Sequence, residues 1–157
     1  MKDLSDYKNT EKLMSSGLII DFKNPRHNQI SIEDIALGLS REVRWGGQNR
    51  YEISVAEHCL QMEALCTNTG DKICALLHDA SEAYTRDIPK PLKNLIPKIS
   101  KIEDRITIAI FKHFGVMELL NVNDKGDIEF PSIIKKLDYE LLKNEYYFFD
   151  KTTSYRV

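Results

Sequence analysis

The sequence lacks long apolar runs. Nowhere among its 157 residues do about 18 apolar residues follow one another, which is the length a membrane helix needs. The beginning of the chain, MKDLSDYKNTEKLM, interrupts every apolar stretch with charged residues. We therefore expect no signal peptide, no membrane span and no membrane partner.

An excess of charge of one sign is also missing. The chain has 22 lysines and arginines against 24 aspartates and glutamates, which gives a formal net charge of -2. A protein that binds the backbone of a nucleic acid usually carries a strong basic excess. We therefore expect no nucleic-acid polymer among its partners.

Cysteine is scarce, and its spacing shows no paired motif. The three cysteines, Cys59, Cys66 and Cys74, form no CxxC motif. An odd number of cysteines in a chain without an export signal argues against a disulfide framework. We expect them to be small buried residues in a reducing, cytoplasmic protein.

The length and composition fit one globular domain. The chain is 42% apolar and 29% charged, which argues against both a disordered chain and a helical rod. No internal repeat or low-complexity segment is visible. We expect an irregular N-terminal segment, residues 1–30, packed on a domain of residues 31–157. At most a short strand or hairpin is expected in that segment, around Leu18 to Phe22.

Apolar residues at helical spacing predict an all-α domain of about five main helices. Ser31 with Asp34, and Ser54 with Glu57, resemble capping boxes, and Asp71 can cap a third helix. The helices are expected over about 31–43, 54–67, 71–84 and 99–114, and from Pro131 onward. The prolines at 89, 91 and 97 exclude a long helix between the third and the fourth.

Histidine is rare, and two of the four histidines lie on consecutive predicted helices. His78 is followed directly by Asp79 in ALLHDASEAY, a segment apolar enough to be core. Burying two titratable groups side by side costs on the order of several kcal/mol unless they are paired or bind an ion. A metal site shared with His58 and a buried histidine hydrogen-bonded to a carboxylate are both compatible with this pattern. Glu82, one helical turn on, adds a polar group to the same face.

An ordered set of four residues resembles the HD-domain phosphohydrolases over about residues 31–149. It consists of His58 in SVAEHCLQM, His78 and Asp79 in ALLHDASEAY, and Asp138 in KKLDYELLKNE. The resemblance is closest to the bacterial branch that hydrolyses deoxyribonucleoside 5′-monophosphates, because RDIPKPLK follows HDASE and an Arg-Trp pair precedes His58. It implies a single HD-domain helical bundle. It also implies one divalent ion held by these four residues, with Co, Mn, Mg, Zn and Ni all open.

The resemblance also implies catalytic roles for two acidic residues. Glu82 would accept a proton from the attacking water or orient that water, and Asp87 would contact the sugar hydroxyl or help catalysis. Without the resemblance, Glu82 is equally plausible as a surface residue and Asp87 as a loop acid.

Four further residues are candidates for substrate binding. Arg44 is a natural bidentate partner for a phosphate, and it can otherwise be a surface salt-bridge partner in a flexible loop. Trp45 can pack on the deoxyribose or base, or it can fill the core. Lys90, and Lys93 near it, can add positive charge near a nucleotide or remain solvated.

The function expected from these residues is a metal-dependent phosphatase acting on deoxyribonucleoside 5′-monophosphates. One alternative is a deoxynucleoside triphosphate triphosphohydrolase of the same fold. Another is a non-catalytic HD-like module that binds a nucleotide or a protein. The oligomeric state stays open, with a homodimer as one option.

Overall fold

Helices make up most of the part of the chain that the computed structural model describes, residues 8–49 and 51–150. They are α1 (Ile32–Arg41), α2 (Val55–Leu65), α3 (Thr69–Leu77), α4 (Glu82–Thr85), α5 (Lys90–Leu95), α6 (Lys98–His113) and α7 (Ser132–Asp150). The broad all-α prediction is confirmed. Of the expected segments 1–30 and 31–157, residues 1–7, 50 and 151–157 lie outside the described residues.

Two small antiparallel hairpins accompany the helices. β1 (Glu11–Leu13) pairs with β2 (Ile19–Asp21), and β3 (Asn121–Val122) pairs with β4 (Ile128–Glu129). The first hairpin is tied to α1, because Asp34 accepts hydrogen bonds from the Ser16 backbone N–H at 2.8 Å and from its hydroxyl at 2.5 Å. Ile20 in β2 is completely buried. The short hairpin expected near the N-terminus is therefore present and contributes to the core.

The predicted starts of the first two helices are confirmed. The Ser31 side chain accepts hydrogen bonds from the backbone of Glu33 and Asp34, and Ser54 accepts one from Glu57. Each serine satisfies backbone N–H groups that have no partner within the first turn of a helix.

The predicted cap of the third helix is wrong by one turn. Asn68 is the N-cap of α3, and its side chain accepts a hydrogen bond from the Asp71 backbone N–H at 2.8 Å. The gap between the expected helices, residues 68–70, therefore already contains the first two residues of α3, Thr69 and Gly70. Asparagine and aspartate are both good N-caps, so residue type alone does not choose between them.

The continuous helix expected over 71–84 is also wrong. α3 ends at Leu77, and the chain makes a tight turn before α4 begins at Glu82. In this turn the Ala80 N–H donates to the Leu77 carbonyl at 3.1 Å, and the Glu82 N–H donates to the Asp79 carbonyl at 2.9 Å. Buried residues continue through the turn, so apolar spacing carries no sign of the break.

The proline-rich segment contains no long helix, as expected, but it does contain the six-residue α5. Pro91 lies in the first turn of α5, where a residue without an N–H interrupts no helical hydrogen bond. α6 then begins directly after Pro97.

The core lies where α2 packs against α3, with α1, α6 and α7 around this pair. Its completely buried side chains include Met62 of α2 and Ile106 and Phe111 of α6. Each cysteine is free and buried, which confirms that part of the expectation. Among the described helices, none combines the length and apolar character that crossing a bilayer requires.

Gly38 sets the distance between α1 and α4. A Cβ atom at this position would lie 2.7 Å from the Ala83 Cβ and 2.8 Å from the Ala83 Cα. Real Cβ atoms essentially never approach other atoms so closely, and the Ala83 backbone cannot move away without moving α4. Gly38 therefore allows the contact that holds α4, and with it Glu82.

We expect Gly38→Ala to lower the free energy of unfolding by about 1–3 kcal/mol, the usual cost of overpacking. The loss should appear although alanine is intrinsically about 1 kcal/mol better than glycine within a helix. Urea denaturation measures it, with Ser40→Ala, an exposed substitution on the same helix, as the control. Equal midpoints for the two variants would contradict the close approach of α1 to α4.

Candidate metal centre

Two buried histidines meet where α2 packs on α3. His58 lies within α2 and is completely buried, and His78 follows the last residue of α3 and is 9% exposed. Their ring centroids are 5.3 Å apart. Together with Asp79 they form a group whose possible ligand atoms all lie within 4.8 Å of one another.

The Nε2 atoms of both imidazoles face this group without an aligned hydrogen bond. His78 Nε2 lies 3.1 Å from Asp79 Oδ2, and His58 Nε2 lies 3.9 Å from the same oxygen. Both nitrogens are buried and have no hydrogen-bond partner of suitable geometry among the described residues. A buried histidine paired with a carboxylate accounts for the short distance between His78 and Asp79, but it gives neither Nε2 atom an aligned hydrogen bond.

The hydrogen bond of the other ring nitrogen, Nδ1, determines the tautomer of a neutral His78. His78 Nδ1 lies 2.8 Å from the Ala75 carbonyl oxygen, which can only accept, so Nδ1 carries a hydrogen. The neutral ring then presents the Nε2 lone pair to Asp79. Two imidazole nitrogens and a carboxylate form a donor set that suits first-row divalent ions, so the residues present fit such an ion.

Strong mutual attraction marks the three groups. Burial opposes the charged form of His78, but the adjacent Asp79 carboxylate outweighs this effect and holds the His78 pKa well above its ordinary value. Burial likewise opposes the charged form of Asp79, yet His78, His58 and Arg44 hold its pKa well below the usual range. The Asp79 carboxylate, whose side chain is 22% exposed, thus remains charged, and in the ion-free protein His78 and Arg44 supply the positive charge beside it.

Asp138, the fourth predicted ligand, lies at the edge of this group. Its Oδ1 is 3.2 Å from His58 Nε2, and its side chain is 45% exposed. It does not belong to the set whose ligand atoms lie within 4.8 Å of one another. The structure therefore brings His58, His78 and Asp79 together and places Asp138 beside His58 alone.

Sequence reasoning missed Glu145, a buried acid whose carboxylate contacts residues of the site. It is 4% exposed and lies on α7. Its carboxylate contacts His58 Nδ1 at 3.0 Å, Arg44 Nε at 3.0 Å and Trp45 Nε1 at 2.9 Å. The available signal was its position seven residues after Asp138, which places both acids on one helix face.

Arg44 and Trp45 lie in a 3-10 turn, Arg44–Gly47, rather than in an irregular loop. Arg44 is buried and its Nη1 lies 3.4 Å from Asp79 Oδ2, so it is not the surface residue considered above. Trp45 is half-buried and lies outside the core. Its backbone has a φ of 61°, which is uncommon for a residue with a Cβ. Its N–H donates to Asp87 Oδ2 at 3.2 Å.

Glu82 is buried, so the interpretation as a surface residue is wrong. Burial, together with the charges of Asp79 and Asp87, raises the pKa of Glu82 to about 9. Its Oε1 lies 3.7 Å from Lys93 Nζ, and its Oε2 has no hydrogen-bond partner among the described residues. Glu82 therefore holds a proton at neutral pH in this structure.

Of the two candidate lysines, the structure brings Lys93 to the site. Lys93 Nζ lies 2.9 Å from Glu103 Oε1 as well as close to Glu82. Lys90 is exposed and makes no ion pair with a described residue. Burial raises the pKa of Asp87, and the charge of Arg44 opposes this effect. The Asp87 backbone N–H donates to Oε1 of Glu42, the residue that follows α1, at 3.2 Å.

Two curated bacterial proteins are similar to this chain. An uncharacterized protein of Rhodobacter capsulatus is 39% identical over 116 residues, which cover 68% of this chain and 59% of that protein. The uncharacterized protein YfdR of Escherichia coli is 36% identical over 109 residues, with the same shares. The chain thus matches less than two thirds of the length of either relative. No protein-family model matches it.

The pKa of Glu82 predicts a pH-dependent contribution to stability in protein kept free of divalent ions by a chelator. Between its ordinary pKa of 4.5 and about 9, Glu82 is protonated when folded and ionised when unfolded. Unfolding then releases a proton, so this contribution falls as the pH rises through that range. In Glu82→Gln, we expect the unfolding free energy to fall less steeply with pH.

Urea unfolding at several pH values between about 5.5 and 8.5 measures this difference. Glu140→Gln, an exposed substitution on α7, serves as the control and should behave like the wild type. Identical pH dependence in the wild type and Glu82→Gln would show that Glu82 is ionised when folded.

Proposed function

We propose that this protein is a metal-dependent nucleotide phosphohydrolase of the HD type that removes phosphate from deoxyribonucleoside 5′-monophosphates. The observation that carries the proposal is the pair of buried Nε2 atoms, on His58 and His78, that face Asp79 without hydrogen-bond partners. A divalent ion satisfies both nitrogens and compensates the carboxylate. The resemblance of the ordered motif to the HD phosphohydrolases supports the same assignment.

In this proposal, His58, His78 and Asp79 hold the ion, and Asp138 joins them from the side of His58. The ion, when bound, supplies Lewis acidity toward the phosphoryl group and acidifies water. Arg44 stays paired with Glu145 and Asp79 and adds positive charge beside the ligands.

Glu82 acts as the proton acceptor in the proposed reaction. The charge of Asp79 is one of the causes that raise its pKa. When Asp79 is neutralised by a cation, this cause weakens, and the Glu82 pKa moves toward the range in which a general base works at neutral pH. Lys93, 3.7 Å from Glu82, stabilises the ionised form in the same direction.

Trp45 and Asp87 form one side of the proposed nucleoside site. The hydrogen bond from the Trp45 backbone to Asp87 joins the two residues assigned to the sugar. The Trp45 indole is held by Glu145 through its Nε1, which leaves the ring in a fixed orientation. Such a ring can stack on the sugar and crowd a 2′-hydroxyl, which favours deoxyribonucleotides.

A panel of nucleoside mono-, di- and triphosphates, in ribo and deoxy forms, tests this proposal with Mn²⁺, Co²⁺ or Mg²⁺. We expect inorganic phosphate and a nucleoside from the deoxyribonucleoside monophosphates, with products identified by mass. Release of triphosphate would instead indicate a triphosphohydrolase. Absence of turnover on the whole panel would contradict the enzymatic proposal and favour a binding module.

Two variants separate metal binding from proton transfer within the same assay. Asp79→Ala removes a ligand, so bound metal and turnover should fall together. Glu82→Gln should keep the metal while turnover drops by about 10²-fold or more, the usual scale for a positioned acid or base. His27→Ala, an exposed histidine outside the cluster, is the matched control. Equal metal loss in the Asp79 and Glu82 variants would contradict the role of Glu82.

A further inference from the structure

The two oxygens of the Glu145 carboxylate serve different partners. Oε1 lies 3.0 Å from His58 Nδ1, whereas Oε2 accepts hydrogen bonds from Arg44 Nε at 3.0 Å and Trp45 Nε1 at 2.9 Å. His58 is completely buried, and Glu145 and Arg44 are nearly so. One buried side chain therefore joins α2, α7 and the 3-10 turn that carries Arg44 and Trp45.

We propose that Glu145 is a positioning residue that places the hydrogen of the neutral His58 ring on Nδ1 and holds the Arg44–Trp45 turn beside the metal centre. This inference rests on the proposed function, because it assigns the role of Glu145 relative to the ion that His58 would bind. Glu145 does not belong to the group of described residues whose ligand atoms lie within 4.8 Å of one another, so its effect on that ion passes through His58.

The chemistry of the carboxylate sets the tautomer of His58. An ionised carboxylate can only accept hydrogen bonds, so a neutral His58 places its hydrogen on Nδ1 toward Glu145. The lone pair then remains on Nε2, the atom that lies near Asp79 and Asp138. A partner that fixes the ring in this way raises the affinity of a histidine for metal.

The second oxygen fixes the turn. Arg44 donates to Glu145 through Nε, and its Nη1 faces Asp79, so the guanidinium lies between a carboxylate of α7 and one of the metal group. Trp45 shares the same Glu145 oxygen although its backbone adopts a φ of 61°. The Glu145 contacts thus help to hold a backbone conformation that is unfavourable for a tryptophan.

Glu145→Gln tests the tautomer without changing the size of the side chain. The amide has one accepting oxygen and one donating NH₂ group. An NH₂ group directed toward Arg44 and Trp45 would face two N–H donors and could form no hydrogen bond with them. Directed toward His58, it can donate to Nδ1 when that nitrogen carries no hydrogen. We expect the second arrangement, in which His58 accepts through Nδ1 and carries its hydrogen on Nε2.

Two measurements report this change. The ¹⁵N chemical shifts of the histidine rings, recorded at alkaline pH in the presence of a chelator, distinguish the tautomers, and His58→Ala identifies the signal. Calorimetry with Zn²⁺ should show an affinity about 10–100-fold weaker than that of the wild type, the usual loss when such a partner is changed. Emission of Trp45, the only tryptophan, should stay as in the wild type because its hydrogen bond is kept.

Two further variants complete the design. Glu140→Gln makes the same chemical change at an exposed site of α7, and it should alter neither the tautomer nor the zinc affinity. Glu145→Asp keeps an acceptor-only group, so His58 should retain its hydrogen on Nδ1. This second variant also serves if Glu145→Gln does not fold.

The outcomes separate this inference from the proposed function. A Glu145→Gln protein with the wild-type tautomer and wild-type zinc affinity would overturn the role of Glu145 while leaving the metal centre intact. So would a Glu145→Asp protein with the hydrogen on Nε2. Failure of the wild type to bind any divalent ion would overturn the proposed function, and the tautomer of the metal-free protein would still decide whether Glu145 sets His58.

Discussion

The close approach of two buried imidazole nitrogens to one partly buried carboxylate is the constraint on which the rest of the site depends. His58 and His78 contribute Nε2 atoms that have no hydrogen-bond partner among the described residues, and both lie near one oxygen of Asp79. Polar atoms buried in this way cost free energy unless something in the site satisfies them. A divalent cation would satisfy all three groups at once, which is the basis of the proposed metal centre.

Several features of the fold serve this arrangement. The end of α3 at Leu77 turns the chain so that His78 and Asp79 reach the group beside His58, while Glu82 begins a separate short helix. Gly38 lets α1 approach that helix closely. α7 then lies over α2 and contributes Glu145 from the opposite side. The proposed proton acceptor, Glu82, and the proposed ligands of the ion are thus held by different elements.

The sequence predicted structure well at positions where the residue type is compatible with few structural roles. Ser31 and Ser54 could be predicted as caps because serine directly before an apolar helical pattern is typical of a helix start. His58, His78 and Asp79 could be predicted as a cluster because polar residues are rare within apolar helices. The break after Leu77 could not be predicted, since its residues are as apolar as those of a continuous helix. Glu145 could not be predicted either, because KNEYY reads as an ordinary helix surface and only packing against α2 buries it. Lys90 and Lys93 could not be distinguished either, because both lie on the short α5 and only the orientation of that helix directs Lys93 toward Glu82 and Glu103.

The most direct test of the metal centre combines binding with stability. Calorimetry with Mn²⁺ should show one ion per chain for the wild type and greatly weakened binding for His78→Ala. Thermal unfolding followed with and without a chelator should show a lower melting temperature once the ion is removed, because the two buried histidines and Asp79 lose their partner. A wild-type protein that binds no divalent ion and melts at the same temperature with and without the chelator would contradict the account.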